Sequence, residues 1–142
     1  MHILPSRFLA ACALLFAQTA FGEPALYTAS SKAHGAPFDL VVTEIKREAN
    51  KSYLSIPGFH SRTRPGTRWL MCAYTDLVYK RGFSHWAMVY PSENSEVVVI
   101  GLSNTPNISV KELLGDDFDK DRVPSKIIMQ AEKFSTLCGM RR

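Results

Sequence analysis

The chain has 142 residues, of which 46% are hydrophobic and 21% are charged. This balance is typical of a globular protein and argues against intrinsic disorder, and the length is that of one domain. The formal net charge is +4, and the basic residues form no long tract. The sequence therefore gives little support to nucleic-acid binding.

Residues 1–22 have the pattern of an export signal. One charged residue, Arg7, precedes an apolar run from Phe8 to Phe16, and small residues stand before a cleavage point at Glu23. The run is shorter than the ~20 apolar residues that a membrane-spanning helix needs. We therefore predict a periplasmic or secreted protein with no stable membrane span after cleavage.

A lipid anchor is the alternative to simple cleavage. Leu9 to Cys12 match the bacterial lipobox, in which the cysteine is lipidated and becomes the first mature residue. Only about four apolar residues precede Cys12, however, whereas a working export signal has an apolar run of ~7–15 residues. The pattern favours a mature chain that begins near residue 23.

Two cysteines remain after removal of the signal, Cys72 and Cys138. An exported domain with two cysteines usually pairs them, and closing a loop of this length stabilises the fold by about 4 kcal/mol. A catalytic or redox cysteine is the alternative. The chain has no CxxC motif, and Cys72 lies in an apolar helical segment without an adjacent basic side chain, so we predict the disulfide.

The first part of the mature chain predicts a loose lead followed by a hairpin. Residues 23–36 are small and polar without a sustained period. Residues 37–47 alternate between apolar and polar side chains, as a strand does. A polar turn then leads to a second short strand at 53–56, which Pro57 and Gly58 end. We expect these two strands to pair.

Residues 67–90 combine a helix and a strand at the centre of the predicted core. Apolar side chains recur every three or four residues up to Val78, and Gly82 can end the helix. From Phe83 to Tyr90 the period becomes two, which predicts a strand. The β-branched run at 96–102 predicts a further strand, paired antiparallel with Phe83–Tyr90 and covered on both faces.

The C-terminal third predicts two helices. Ser109 and Glu112 have the spacing of a capping box and open a short helix. An edge strand from Ile108 to Leu114 is the alternative. Residues 124–138 are interpreted as the last helix, capped by Ser125. Four of its residues fall on one helical face, namely Ile127, Ala131, Phe134 and Cys138.

These elements follow the order β-β-α-β-β-(short α)-α in one domain over residues 23–142. The order predicts an α+β fold, with a mostly antiparallel sheet of four to five strands and two helices packed on one face. The second strand, the central helix and the third strand could also form a right-handed β-α-β crossover.

The loop at 57–68 is the most suggestive candidate binding site, because basic side chains crowd it just before the central helix. Guanidinium groups and the free N–H groups at a helix start both bind carboxylates and phosphates. A solvated basic loop that pairs with surface acids is the alternative. Ser61 or Thr67 is available as the helix cap. The basic residues of this loop are His60, Arg62, Arg64 and Arg68.

A second candidate surface is aromatic. Trp86 and Tyr90 share one face of their predicted strand with Ser84 and Met88. If that face is open, it is a candidate protein-binding patch, because Trp, Tyr and Met are enriched at interfaces. Aromatic residues at this spacing also build cores, which is the alternative.

The acidic loop has part of the pattern of a calcium site. Asp117, Asp119 and Asp121 have the spacing that opens a calcium loop. Arg122 stands where that loop needs glycine, and Ile128 stands where it needs a bidentate glutamate. A solvated acidic loop is the simpler interpretation, and we predict no metal and no cofactor.

Motifs of catalysis are missing from the sequence. It contains no zinc-protease, nucleophile-elbow, Walker or dinucleotide-binding motif. His85 shares a predicted strand face with Phe83 and Ala87, which favours a core or interface residue over a general base. We therefore predict a protein that is not an enzyme.

A helix with Cys72-Ala73 and Leu77 in its interior ends in Lys80-Arg81-Gly82-Phe83 and runs into an aromatic strand at His85-Trp86. This unit, within residues 52–102, resembles small bacterial envelope proteins of unknown function. In those proteins a helix likewise ends in a Gly-aromatic pair and leads into a hydrophobic strand. The resemblance implies export and an interaction or structural role, with no catalytic residues to carry over.

The leading functional hypothesis is an exported, non-enzymatic protein that binds a macromolecular partner in the bacterial envelope, as an inhibitor or immunity protein does. The Arg62–Arg68 segment would face an acidic surface of that partner. One alternative is a binder of small anionic ligands that uses the same arginines at the helix start. The other is a small hydrolase that uses His60 or His85.

Overall fold

The computed structural model describes residues 25–124 and 126–140. The predicted export signal at 1–22, the lipobox residue Cys12 and the predicted cap Ser125 lie outside the described residues. Within them, no helix is both long and apolar enough to cross a membrane.

The described chain contains six strands and three α-helices. The strands form one sheet in the order β1-β2-β3-β5-β4-β6, and every neighbouring pair is antiparallel. The α+β class and the antiparallel sheet are confirmed, but the sheet has more strands than the four to five predicted. The elements are β1 Thr28–Ser30, β2 Val41–Glu48, β3 Lys51–Ser55, α1 Arg64–Lys80, β4 His85–Val89, β5 Val97–Ser103, α2 Val110–Leu114, β6 Met129–Gln130 and α3 Ala131–Leu137.

The predicted hairpin is present as β2 and β3. Their register pairs Glu48 with Lys51 across a two-residue turn. Val42 and Glu44 point into the core, as the alternating pattern requires. A bulge between Glu44 and Lys46 then shifts the register, and Ile45 is left 53% exposed.

The two most central strands are β3 and β5. Strand β5 pairs antiparallel with β3 on one side and with β4 on the other. Because both run opposite to β5, β3 and β4 run in the same direction, and α1 connects them. The predicted pairing of the strand at 96–102 with the aromatic strand is confirmed, and so is its burial on both faces.

Helices cover both faces of the sheet. α1 and α3 pack on one face, where the largest buried side chains include Trp86, Tyr74, Leu54 and Ile56. α2 covers the other face with Val110, Leu113 and Leu114, which pack on Ala87 and Val89 of β4. The prediction of two helices on one face holds for α1 and α3, and α2 forms a separate layer opposite them.

Residues 23–36 were expected to form a loose lead, and this is not so at 28–30. Strand β1 pairs with β2 in the register Ala29 to Val42, and the neighbouring Tyr27 is only 7% exposed. The short polar segment has no period of its own that signals a strand. It becomes one because β2 offers an unpaired edge.

The last helix begins later than predicted. α3 starts at Ala131, and the two preceding residues form β6, which pairs with His85 and Trp86 of β4. Pairing the open edge of β4 requires extended backbone, and this overrides the helical pattern. Ile127 therefore lies outside the helix and is 74% exposed, whereas Ala131 is fully buried.

A disulfide joins α1 to the C-terminal end of α3. Cys72 and Cys138, the pair expected from the sequence, are bonded with their Cα atoms 5.7 Å apart. The bond fixes the end of the short helix α3 onto the middle of the long helix α1.

Candidate functional site

The basic segment is divided between a loop and the first turns of α1. The helix begins at Arg64, not at Thr67 as predicted, and Thr63 is its cap, with a side-chain oxygen that accepts from Gly66 N at 3.3 Å. Pro65 is compatible with the first turn, because the N–H that proline lacks has no partner there. Arg64 and Arg68 therefore project from a helix rather than from a loop.

A surface cleft of about 860 Å³ runs along α1. The outward face of α1, from Arg64 to Lys80, forms its floor. β1 forms one wall, with His34 at its end, and the last residues of α3 form the other wall. We call this the α1 cleft, and its wall residues are Tyr27, Thr28, Ala29, His34, Leu137, Cys138 and Met140.

The α1 cleft is positively charged where the helix begins. Arg64 and Arg68 are exposed and line the cleft, and neither forms an ion pair or a hydrogen bond with another described residue. His34 lies in the same cleft, where its Nδ1 is 2.9 Å from Ser30 O. Two guanidinium groups here have all their donors available for an anion.

The other end of the cleft is closed by internal pairs. Asp76 accepts from Lys80 at 3.0 Å and from the Tyr27 hydroxyl at 3.1 Å. Burial, together with the nearby carboxylate of Asp76, raises the pKa of Tyr27 above its ordinary value. The carboxylate of the cleft is therefore already occupied, whereas the arginines are not.

Apolar side chains lie beside the arginines. Trp69 and Ala73 contribute to the floor, and Met140 to the wall. Leu137 is 82% exposed at the rim. The disulfide between Cys72 and Cys138 lines the cleft and holds this apolar wall against the floor.

A buried carboxylate holds the β1 wall in place. Glu44 has no exposed side-chain surface, and it accepts from Tyr27 N at 2.9 Å and from Ser52 Oγ at 2.6 Å. Arg47 donates two further bonds of 2.9 and 2.6 Å. Burial alone would raise the pKa of Glu44, but these hydrogen bonds and the charge of Arg47 outweigh burial and lower the pKa to about 2.

The remaining basic residues of the segment lie elsewhere. Arg62 stacks on the Phe59 ring at 3.8 Å and lies 5.6 Å from the Tyr90 ring. His60 Nε2 contacts Ser95 O at 2.7 Å. These side chains hold two loops together on another side of α1, so the structure brings His60, Arg62 and Tyr90 together but separates them from Arg64 and Arg68.

Trp86 belongs to the core. It is fully buried, with its ring 5.7 Å from Tyr74 and 5.7 Å from Phe134. α1 and α3 cover the strand face that it shares with Met88. The open aromatic face on which the second candidate surface depends is therefore not present, because two helices occupy it.

The acidic loop forms a smaller cavity of about 480 Å³. Asp117 accepts from Lys51 at 2.9 Å and from Tyr53 at 2.7 Å, and these bonds outweigh the effect of burial and lower the pKa of Asp117. Asp119 pairs with Arg122 at 2.8 Å. In the part of the chain that the structure describes, no three His, Cys, Asp or Glu residues are grouped so that they could hold a metal ion.

His85 has one polar side-chain neighbour. Its Nδ1 lies 2.7 Å from Ser84 Oγ, which also donates to Asn104 Oδ1 at 3.2 Å. Neither Ser84 nor His85 lines the α1 cleft or the acidic cavity.

Sequence reasoning missed most of the α1 cleft. Tyr27 and Leu137 were not candidates, because nothing in a single sequence shows that β1 and the end of α3 flank the same helix. The available signal was the helical spacing of Arg64, Arg68 and Cys72, which puts the two arginines and the disulfide on one stripe of α1. Comparisons of the chain with family models, curated proteins and solved structures found no match.

Proposed function

We propose that this chain is an exported, non-enzymatic protein of the bacterial envelope that holds an acidic segment of a partner protein in the α1 cleft. The observation that carries the proposal is the pair Arg64 and Arg68, which are exposed and unpaired with any other described residue beside an apolar wall. Inhibition or immunity is the role that such a contact serves, since the chain needs only to cover an acidic surface of its partner.

The electrostatics of α1 favour an anion at this end of the cleft. The first turn contains no acidic residue, although the N-terminal end of a helix carries the positive pole of its dipole. Arg64 adds a positive charge at the same place. A carboxylate from a partner would therefore bind two guanidinium groups. It would also relieve the repulsion between Arg64 and the positive end of the helix dipole.

The shape of the cleft favours a chain segment over a small ion. Its floor extends from Arg64 to Lys80, which is about 24 Å at the rise of an α-helix. An extended peptide of about seven residues has the same length. A small anion would contact only the arginines and leave Trp69, Leu137 and Met140 uncovered.

A binding assay with charge reversal tests the proposal. The probe is a capped heptapeptide of alternating glutamate and valine, titrated by fluorescence anisotropy at low salt. The Arg64→Glu/Arg68→Glu variant should bind at least about tenfold more weakly, since each charged hydrogen bond contributes about 1.5–3 kcal/mol. The matched control is Lys111→Glu/Lys120→Glu, which makes the same charge change outside the cleft and should keep the wild-type affinity within about twofold.

Two results would contradict the proposal. Equal weakening in both double variants would show that only net charge matters. Citrate binding as tightly as the peptide would favour the small-anion alternative. Loss of folding is excluded by a stability measurement, because Arg64→Glu complements the helix dipole and should raise the free energy of unfolding by about 0.3–1 kcal/mol.

A further inference from the structure

β1 presents its backbone edge to the α1 cleft. Three consecutive residues line the cleft, Tyr27, Thr28 and Ala29. Consecutive side chains of a strand point to opposite faces, so side chains on one face alone do not account for a wall that includes all three residues. β1 is also the first strand of the sheet order, with β2 on one side only.

The register shows which backbone groups face the cleft. Glu44 N donates to Tyr27 O, and Ser31 N donates to Leu40 O. In an antiparallel pair the bonded residues alternate, so Tyr27, Ala29 and Ser31 face β2, and Thr28 and Ser30 face away from it. His34 Nδ1 lies 2.9 Å from Ser30 O, which leaves the N–H and C=O of Thr28 and the N–H of Ser30 as the outward-facing groups.

The spacing of the arginines fits an extended chain. Arg64 and Arg68 are four residues apart on a helix, which is about 6 Å along its axis. Side chains two residues apart on a strand point to the same face about 6.7 Å from each other. Two acidic side chains at alternate positions of an extended peptide therefore match the two guanidinium groups.

We propose that the α1 cleft binds its partner as an added β-strand. The partner's main chain pairs with the outward groups of Thr28 and Ser30, and acidic side chains at alternate positions pair with Arg64 and Arg68. The recognised segment thus has the pattern acidic-x-acidic in extended conformation. This inference rests on the proposed function of the same cleft and adds the mode of binding and the sequence class of the partner.

A backbone variant tests the mode without changing a charge. Thr28→Pro removes an N–H that faces away from β2, and proline is tolerated at such an edge position. Binding of the Glu/Val heptapeptide should weaken at least tenfold. The control Thr28→Val keeps the N–H and should bind as wild type does. A peptide with the same sequence but N-methylated at alternate amides should bind wild type at least tenfold more weakly.

Hydrogen exchange keeps the test valid if Thr28→Pro fails to fold. In the wild-type protein, the amides of Thr28 and Ser30 should exchange at least tenfold more slowly when the Glu/Val peptide is bound. Unchanged exchange at both amides overturns the added strand. Full binding by Thr28→Pro, together with loss of binding in the Arg64→Glu/Arg68→Glu variant, overturns it while leaving the proposed function intact.

A second copy of this chain is the other occupant that the edge could accept. Sedimentation of the wild-type protein without peptide separates the two. A monomer that binds the Glu/Val peptide supports the proposal, whereas a dimer that Thr28→Pro dissociates overturns it. A lysine/valine heptapeptide that binds as tightly as the Glu/Val peptide also overturns it, because the arginines would then select nothing.

Discussion

Glu44 is the residue that most directly connects the core to the α1 cleft. It lies on the buried face of β2, where the alternating pattern places an apolar side chain, and it binds the backbone of Tyr27 just before β1. A buried carboxylate is tolerated only when its hydrogen bonds are complete, and Arg47 and Ser52 complete them. The cleft wall thus depends on one charged group in the core.

Replacement of this carboxylate should destabilise the protein. We expect Glu44→Gln to lower the free energy of unfolding by about 3 kcal/mol, because the buried site of Glu44 then loses its ion pair with the half-buried Arg47 and one of its hydrogen bonds is mismatched. Chemical denaturation at neutral pH measures this. Glu48→Gln is the matched control, since its side chain is 40% exposed, and it should cost less than about 1 kcal/mol. Equal effects of the two substitutions would contradict a special role for Glu44.

The same group gives the stability a defined dependence on pH. The pKa of Glu44 is lowered from 4.5 to about 2 on folding. Its contribution, about 3 kcal/mol, is therefore complete above pH 4.5 and is lost as the pH falls to about 2. The difference in unfolding free energy between wild type and Glu44→Gln should shrink over this window. A difference that stays constant down to pH 2 would contradict the assignment.

At the residue scale, the sequence indicated which side chains have the chemistry to bind an anion or a protein, but not which of them are exposed. Arg64 and Arg68 were candidates for anion binding, and the structure leaves them exposed in a cleft. Arg62 was a candidate for anion binding and Trp86 for an aromatic binding face, yet Arg62 stacks on aromatic rings and Trp86 lies in the core. A local sequence pattern shows the type and spacing of residues, but it does not show whether a distant element covers their side chains.

At the scale of elements, α2 and β5 meet at a glycine. A Cβ atom at Gly101 would lie 2.9 Å from Leu113 Cγ and 3.0 Å from Leu114 Cδ2, so only glycine allows this close approach. Gly101→Ala should lower the free energy of unfolding by about 1–3 kcal/mol, measured by thermal or chemical denaturation.

A double-mutant cycle separates overpacking from a backbone effect. If the Cβ clash is the cause, Leu113→Ala provides space, and the Gly101→Ala/Leu113→Ala protein should lose less stability than the sum of the single variants. Strict additivity would contradict the clash.

The elements that the sequence predicted are those with a strong period of their own. The alternation in β2, the β-branched run in β5 and the Ser109 cap of α2 act within a few residues, and all three elements are present. β1 and β6 were missed because each is a strand only through its partner, β2 or β4. Sheet-edge pairing is a long-range effect, so a local pattern does not reveal it.

At the scale of the whole molecule, one covalent bond closes the chain around the cleft. Residues Cys72 and Cys138 are 66 positions apart, and a loop of this size contributes about 4 kcal/mol in the chain-entropy model. Reduction should lower the unfolding free energy by about this amount and weaken peptide binding, since it frees the wall formed by Leu137 and Met140. A Cys72→Ala/Cys138→Ala protein with wild-type stability and affinity would contradict both expectations.

We propose that this protein binds its partner in the α1 cleft. An NMR titration of the oxidised, isotope-labelled protein with the Glu/Val heptapeptide locates the binding surface without any substitution. Binding in the cleft should change the amide shifts at residues 27–34, along α1 from Arg64 to Lys80 and at 137–140. Changes centred instead on His60, Arg62 and Tyr90, with none along β1, would contradict it.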